Sequence, residues 1–375
     1  MPLPDTVALV LQGGGALGSY QAGVIEGLAD SEIEIDWIAG ISIGAINAVL
    51  VAGNPPEYRV DRLRAVWEKV TSALPSFAFI PDDRVREMIH EWSAGYVALA
   101  GVPGFFTPRL LSPLLAVPGS CEATSYYDSA PLRKTLDELV DWDRVNDGTI
   151  RLSVGATNVE TGNFHYFDTR NERLDARHVM ASGALPPGLP PVEIDGDWWW
   201  DGGIVSNTPL SHLLDHQADE MLVFQVDLFS AAAERPKTIM DVLAREKEIR
   251  YSSRTRKISA EMMKQRKEHE MVRRLLTKLP ADLADDRDAK RLAALTRDAP
   301  VNLVHLIYRA NAWEGGARDF EFSRRTMEEH WASGREAIDQ ALANSRVVAE
   351  TIGTGRSAAF DLARRAEPIT TVTKE

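Results

Sequence analysis

The 375-residue chain is 44% hydrophobic with a formal net charge of −13, so it can bury a large core but repels phosphate backbones, which argues against a nucleic-acid partner. Its single cysteine, Cys121, excludes an internal disulfide and a cysteine-cluster metal site, and reads as a small filler residue in a reducing compartment. The start, MPLPDTVALVLQGGG, has no basic residue and only a short apolar run before glycines, and no window reaches the about 18 uninterrupted apolar residues of a spanning helix. A cytoplasmic protein is expected, with membrane contact at most peripheral.

Residues 7 to 11 form an apolar, β-rich run without alternation, as in a parallel strand covered on both faces. After Gly18, Tyr20, Val24, Ile25 and Leu28 fall at helical spacing, and a second apolar run begins at Ile35, which completes a β-α-β unit. A helix over 43–52 ends at Gly53-Asn54-Pro55-Pro56. From about 55 to 125 the pattern is helical but punctuated, an inserted cap whose stretch 96–119 is apolar without being regular. Strand signals return at 150–159 and 164–168, joined by the turn Glu160-Thr161-Gly162-Asn163, which predicts a hairpin. A short helix ending in prolines leads to Trp198-Trp199-Trp200, a compact strand stopped by Asp201-Gly202-Gly203. Two more strands are predicted at 221–228 and 301–308, with helices over about 238–278 and 323–348.

Alternating strands and helices predict a three-layer α/β/α fold with a mainly parallel central sheet, in which ligands bind beyond the carboxyl ends of strands. The loops after residues 11, 40 and 200 are therefore the places for chemistry. The expected division is a catalytic domain over 5–228, a helical extension over 229–350 containing the strand 301–308, and a polar tail over 351–375.

Gly40-Ile41-Ser42-Ile43-Gly44 lies between a strand and a helix, the context in which Gly-x-Ser-x-Gly holds a nucleophilic serine on a cramped turn. A Cβ two positions to either side would collide there, and the following helix N-terminus favours the negative charge that develops on attack. Gln12-Gly13-Gly14-Gly15-Ala16-Leu17-Gly18 follows the first strand and opens a helix, so its N–H groups form an anion cradle. The same letters fit a dinucleotide fingerprint, which needs an acid at the end of the second strand. Asp36 is about 20 residues on but begins that strand, whereas Ser42 follows its end, so spacing favours an oxyanion site. Asp201, at a strand end in apolar surroundings, gains proton affinity by losing water and so suits a general base.

These three pieces, QGGGALG (12–18), GISIG (40–44) and DGG (201–203), resemble in order and spacing the patatin-like phospholipase family. The stretch from 181 to 210 looks like that family's approach to its catalytic aspartate, and the resemblance covers about 7–228. It implies a Ser-Asp dyad with Ser42 as nucleophile and Asp201 as base, with no histidine, metal or organic cofactor in the reaction. It also implies oxyanion donors at Gly13, Gly14, Gly15 and, by position, Ala16, with Gly18, Gly40, Gly44, Gly202 and Gly203 supporting the motifs. Gln12 and Leu17 depart from the plant-type motif, where an acid and an arginine often stand.

A Ser-Asp-His triad would draw on His212, His216 or His305. His305 lies inside a predicted strand and reads as packed; His212 and His216, a helical turn apart around Asp215, read as a helix face rather than a metal site. The implied substrate is a lipid or fatty acyl ester, with the apolar cap 96–119 as a candidate acyl pocket. Two surfaces are candidates for peripheral membrane contact: that cap, and residues 245–278, which hold 12 Lys/Arg against 5 Asp/Glu. Two other functions remain open, an NAD(P)-dependent oxidoreductase using Gly13 to Gly18 and a catalytically idle lipid-binding protein.

Overall fold

The computed structural model describes residues 3–31, 33–73, 83–233, 235–310, 314 and 316–362. Residues 74–82 of the expected cap and 363–375 of the expected tail lie outside the described residues.

The chain begins with two strand-helix units, β1 (Thr6–Leu11) with α1 (Gly18–Asp30), and β2 (Trp37–Gly40) with α2 (Ile43–Ala52). An excursion follows through α3 (Arg59–Val70), α4 (Asp83–Ala100) and a two-residue ladder of β3 (Thr107–Pro108) with β4 (Tyr127–Asp128). Helices α5 (Ala130–Leu139) and α6 (Trp142–Val145) return the chain to the hairpin β5 (Arg151–Asn158) and β6 (Phe164–Asp168). Next come α7 (Ala176–Ser182), the hairpin β7 (Val192–Ile194) and β8 (Asp197–Asp201), α8 (Leu210–Asp215) and β9 (Met221–Asp227). The C-terminal part holds α9 (Ile239–Leu276), α10 (Ala281–Ala284), α11 (Arg287–Leu295), β10 (Val301–Ile307), α12 (Arg324–Ala343), α13 (Arg346–Ile352) and β11 (Ala358–Phe360).

The main sheet runs β11-β10-β9-β1-β2-β5-β8-β7, with β6 also paired to β5. Every pair from β11 to β5 is parallel, and β6, β7 and β8 are antiparallel to their neighbours. Because side chains alternate along a strand, Leu9 and Leu11 of β1 pack into one apolar cluster with α1, α2 and α12, while Ala8 and Val10 pack into another with α8 and α9. The sheet is thus covered on both faces, which accounts for the unalternating run at 7–11.

The C-terminal part is not appended to this core. β10 extends the sheet beside β9 in parallel register, and α12 crosses α1 so closely that a Cβ on Gly334 would lie 2.0 Å from the Tyr20 carbonyl oxygen. The expected polar tail also needs correction, since β11 pairs with β10 and buries Phe360 and Leu362. Three residues are too few to show a strand period, and these two apolar side chains are what hold the segment down. Cys121 is exposed in a surface turn rather than filling a core.

Several of the described charges of α9 have partners within the protein. Arg250 pairs with Glu246, Lys264 with Glu268 and Arg274 with Glu270, and Arg266 donates to Gln217 at 2.7 Å. No helix among the described residues is long and apolar enough to cross a membrane.

Candidate active site

Ser42 stands between β2 and α2 with φ 55° and ψ −123°, a conformation that a side chain adopts only when its surroundings impose it. The flanking glycines permit the turn. A Cβ on Gly40 would lie 2.4 Å from the Gly44 carbonyl oxygen, and one on Gly44 would lie 2.4 Å from the Leu11 carbonyl oxygen. The expected collision is therefore real on both sides, and part of it is against β1 next door. Ser182, at the end of α7, fixes the corner: it accepts from the Ser42 N–H at 2.9 Å and donates to the Gly155 carbonyl at 2.7 Å.

Asp201 reaches Ser42 by a route that strand-end reasoning did not foresee. β5 runs past the end of β2, with Val154 level with Gly40, and β8 runs back along that overhang so that Asp201 lies beside Ala156. The aspartate thus ends an antiparallel strand that points into the carboxyl edge of the parallel ones. Strand direction leaves no trace in hydrophobic periodicity, because a reversed strand alternates its side chains in the same way.

The Asp201 carboxylate is buried, and loss of water pushes its pKa up to about 6, although hydrogen bonds from the Gly203 N–H, at 2.7 Å, and from Ser42 pull it down. A carboxylate that is mostly ionised at neutral pH yet keeps a raised proton affinity, bonded to a serine hydroxyl, can accept that hydroxyl's proton.

The glycine loop forms the third side. Gly15, at φ 57°, lies against the Asp319 carbonyl oxygen, which a Cβ would meet at 2.3 Å. Asn207 clamps the loop from the other side: its Nδ2 donates to the Gly13 carbonyl at 2.9 Å, and its own carbonyl accepts the Gly13 N–H at 3.2 Å. The Gly13 amide is therefore already committed. Gly13, Gly14 and Gly15 line the pocket with Ser42, while Ala16 is buried in the turn that starts α1. Gln12 is a buried anchor, accepting from the Leu228 N–H at 2.6 Å and donating to Thr208 at 3.0 Å. Gly18 packs against Ile43, Gly202 against the Gly155 carbonyl and Gly203 against Asn207.

The pocket has a volume of about 230 Å³, and its walls are mostly apolar: Phe105, Phe106, Tyr127, Leu185, Pro186, Pro187, Leu189, Phe229, Tyr251, Phe320 and Phe322. Of the apolar cap stretch 96–119, only Phe105 and Phe106 contribute to it. Leu110, Leu111, Leu114, Leu115 and Val117 are exposed instead, Leu114 at 86%. The expected apolar cap is thus split: Val97 and Val102 are packed in the core, the two phenylalanines line the cavity, and the leucines lie beyond the short β3-β4 ladder, which is too small to fold back over them.

The histidines lie elsewhere. His212 bonds Asp168 at 3.1 Å, His216 bonds the His212 carbonyl at 2.9 Å and His305 faces Asp227 at 3.3 Å. Burial would raise the Asp168 pKa, but hydrogen bonds from His212, Arg151, Arg170 and Ser153 outweigh it and hold it well below the usual carboxylate range. His165 stands 3.8 Å from Glu172 at the surface. Asp36, the acid that a dinucleotide site would use, accepts the Val7 N–H at 2.8 Å at the opposite end of β1 from the glycine loop. The oxidoreductase reading loses its ribose-binding group for that reason.

A family model described as Patatin-like phospholipase matches residues 9–214. The chain belongs to the patatin-like phospholipase family. A second model, described as Patatin phospholipase, matches residues 249–352, the part that adds β10 and α12 to the patatin-like core. The Lysophospholipase NTE1 of Yarrowia lipolytica is 26% identical over 240 residues, 64% of this chain and 14% of that protein. That of Aspergillus terreus is 26% identical over 239 residues, 64% of this chain and 13% of that protein. The match thus takes in only a small part of these relatives. Among solved structures, VipD from Legionella pneumophila is 15% identical with a TM-score of 0.36, covering 94% of this chain and 78% of that one. Human GIVD cytosolic phospholipase A2 is 12% identical with a TM-score of 0.33, covering 60% and 43%.

Proposed function

We propose that the protein is a serine hydrolase of lipid acyl esters, of phospholipase A or lysophospholipase type, working through Ser42 and Asp201. The observation that carries this reading is the hydrogen bond between a serine held at a strained strand-helix corner and a buried carboxylate whose proton affinity has been raised toward neutrality, at the floor of an apolar pocket.

Asp201 takes the Ser42 proton as the oxygen attacks the ester carbonyl, and the amides of Gly14 and Gly15 receive the oxyanion, Gly13 being held by Asn207. The protonated Asp201 then gives its proton to the departing alcohol. In the second half it takes a proton from water as the water oxygen attacks the acyl carbon, and it returns that proton to the departing Ser42 oxygen, which restores the hydroxyl and the ionised carboxylate. The apolar walls receive the acyl chain and keep water from the carboxylate.

For contact with a lipid surface, the exposed leucines of 110–115 are better suited than the basic helix, because they offer apolar area to hydrocarbon, whereas several basic side chains of α9 are paired with acids of the same helix. Labelling by an organophosphonate, with hydrolysis of p-nitrophenyl esters and phospholipids by wild type, Ser42→Ala and Asp201→Asn, tests the proposal. Wild type is expected to be labelled at Ser42 and both variants to lose nearly all turnover while folded. A folded Ser42→Ala variant with wild-type turnover would end it.

A further inference from the structure

The pocket contains one cation among its described lining residues. Lys247, on α9, comes 205 residues after Ser42 in the chain, yet both border the same cavity. Its ammonium forms an ion pair with Asp319 and lies 5.1 Å from the centre of the Phe320 ring. Asp319 is the residue whose carbonyl rests on Gly15, so the Lys247–Asp319 pair sits directly beside the loop assigned to the oxyanion.

We propose that Lys247 reads the head group of the substrate, selecting acyl esters that carry a phosphate close to the scissile ester. The inference rests on the hydrolase reading above and adds the residue that distinguishes phosphate-bearing from neutral acyl esters. An acyl ester placed on Ser42 sends its acyl chain along the aromatic and proline walls and leaves its alcohol portion for the rest of the pocket, where Lys247 is the charge of opposite sign to a phosphate. A lysine ammonium is a mobile point charge with three donors, suited to a tetrahedral phosphate that arrives in more than one orientation. Asp319 holds it in place without substrate. A phosphate, with more charge and more acceptor oxygens than a carboxylate, can take over that contact while the ammonium stays near the Phe320 ring.

The test compares octanoyl glycerol 3-phosphate with mono-octanoylglycerol, both below their aggregation concentrations, so that surface binding does not enter. The ratio of kcat/KM for the phosphate ester to that for the neutral ester is expected to fall about tenfold or more in Lys247→Gln, to stay within about threefold in Lys247→Arg, and to rise in Asp319→Asn. A ratio unchanged in Lys247→Gln overturns the proposal, as does a parallel fall on both esters, which is what a purely structural ion pair would produce. If Lys247→Gln does not fold, Asp319→Asn decides alone: a ratio that fails to rise rejects the inference. Wild type that cleaves neither ester would refute the hydrolase reading and this inference with it, whereas cleavage of the neutral ester with unresponsive ratios would refute the inference only.

Discussion

Ser182 accepts the backbone N–H of Ser42 at 2.9 Å while donating its own proton to Gly155 at 2.7 Å, so a single hydroxyl ties the serine corner to the strand that pairs with the one carrying Asp201. Ser42 sits in a conformation that costs about 1–3 kcal/mol and persists only because neighbours impose it. Ser182→Ala leaves the half-buried Ser42 N–H and the buried Gly155 carbonyl without this partner, a loss of about 1–3 kcal/mol in stability. It should lower kcat more than it raises KM, because the hydroxyl of Ser42 drifts while the pocket walls stay. Steady-state kinetics with a p-nitrophenyl ester and a denaturant melt check both; unaltered kcat in a destabilised protein would show that the corner holds without it.

Asp201 gives two linked expectations. With its pKa pushed up to about 6 by burial, kcat/KM should rise tenfold per pH unit below that value and level off above it. The stability effect has the opposite sense. A carboxyl whose folded-state pKa exceeds its unfolded value favours folding while protonated, and that contribution is lost as pH rises from about 4 through 6. An ionised Asp201 at pH 8 therefore costs the fold roughly 3 kcal/mol. Asp201→Asn should abolish turnover yet melt higher than wild type at pH 8, with the difference shrinking toward pH 4. Thermal melts across that range measure it, and a difference independent of pH would contradict the assigned ionisation.

Asn207 and Gly13 exchange two hydrogen bonds, at 2.9 and 3.2 Å, across 194 residues of chain. Asn207→Ala removes only the side-chain member, so the loop should remain but lose its register against Ser42. Since one oxyanion donor is worth about 100-fold or more in the chemical step, misplacing the Gly14 and Gly15 amides is expected to lower kcat by about 10- to 100-fold. Burst kinetics with a chromogenic ester would place the loss in acylation; a loss confined to KM would mean that the loop acts in binding instead.

The parts of this site that could be read in the sequence are those whose geometry is local. Gly40, Ser42 and Gly44 lie within one turn, and the glycine loop follows its own strand, so residue type and order were enough. Asp201 was legible as a residue but not as a position, because its approach depends on β8 running antiparallel along the overhang of β5. Ser182, Asn207 and Lys247 acquire roles only through contacts with backbone or side chains 27 to 194 residues away, and a polar residue with such a role looks in sequence like any other. For Asn207 a hint existed, since it falls within the stretch after Asp201-Gly202-Gly203 that carries the family resemblance. The strand β11 and the committed amide of Gly13 had no comparable signal.

The exposed leucines near the pocket lead to the last prediction. Arg109 N–H bonds the Tyr126 carbonyl at 3.0 Å, and Tyr126 and Tyr127 N–H groups bond the Pro187 and Gly188 carbonyls at 3.1 and 2.9 Å. The segment bearing Leu110, Leu114 and Leu115 is thereby anchored to the pocket wall formed by Pro186 to Leu189. Because these side chains are already exposed, replacing all three by serine should leave the melting temperature within about 2 °C of wild type. Inserting one leucine into hydrocarbon contributes about 1.5–3 kcal/mol, so binding to phosphatidylcholine vesicles should weaken by about tenfold or more for each leucine that inserts. The ratio of vesicle hydrolysis to hydrolysis of a monomeric ester would fall in step. Vesicle flotation and paired activity assays measure both quantities, and a triple variant that binds and cleaves vesicles like wild type would remove this face from any role at a lipid surface.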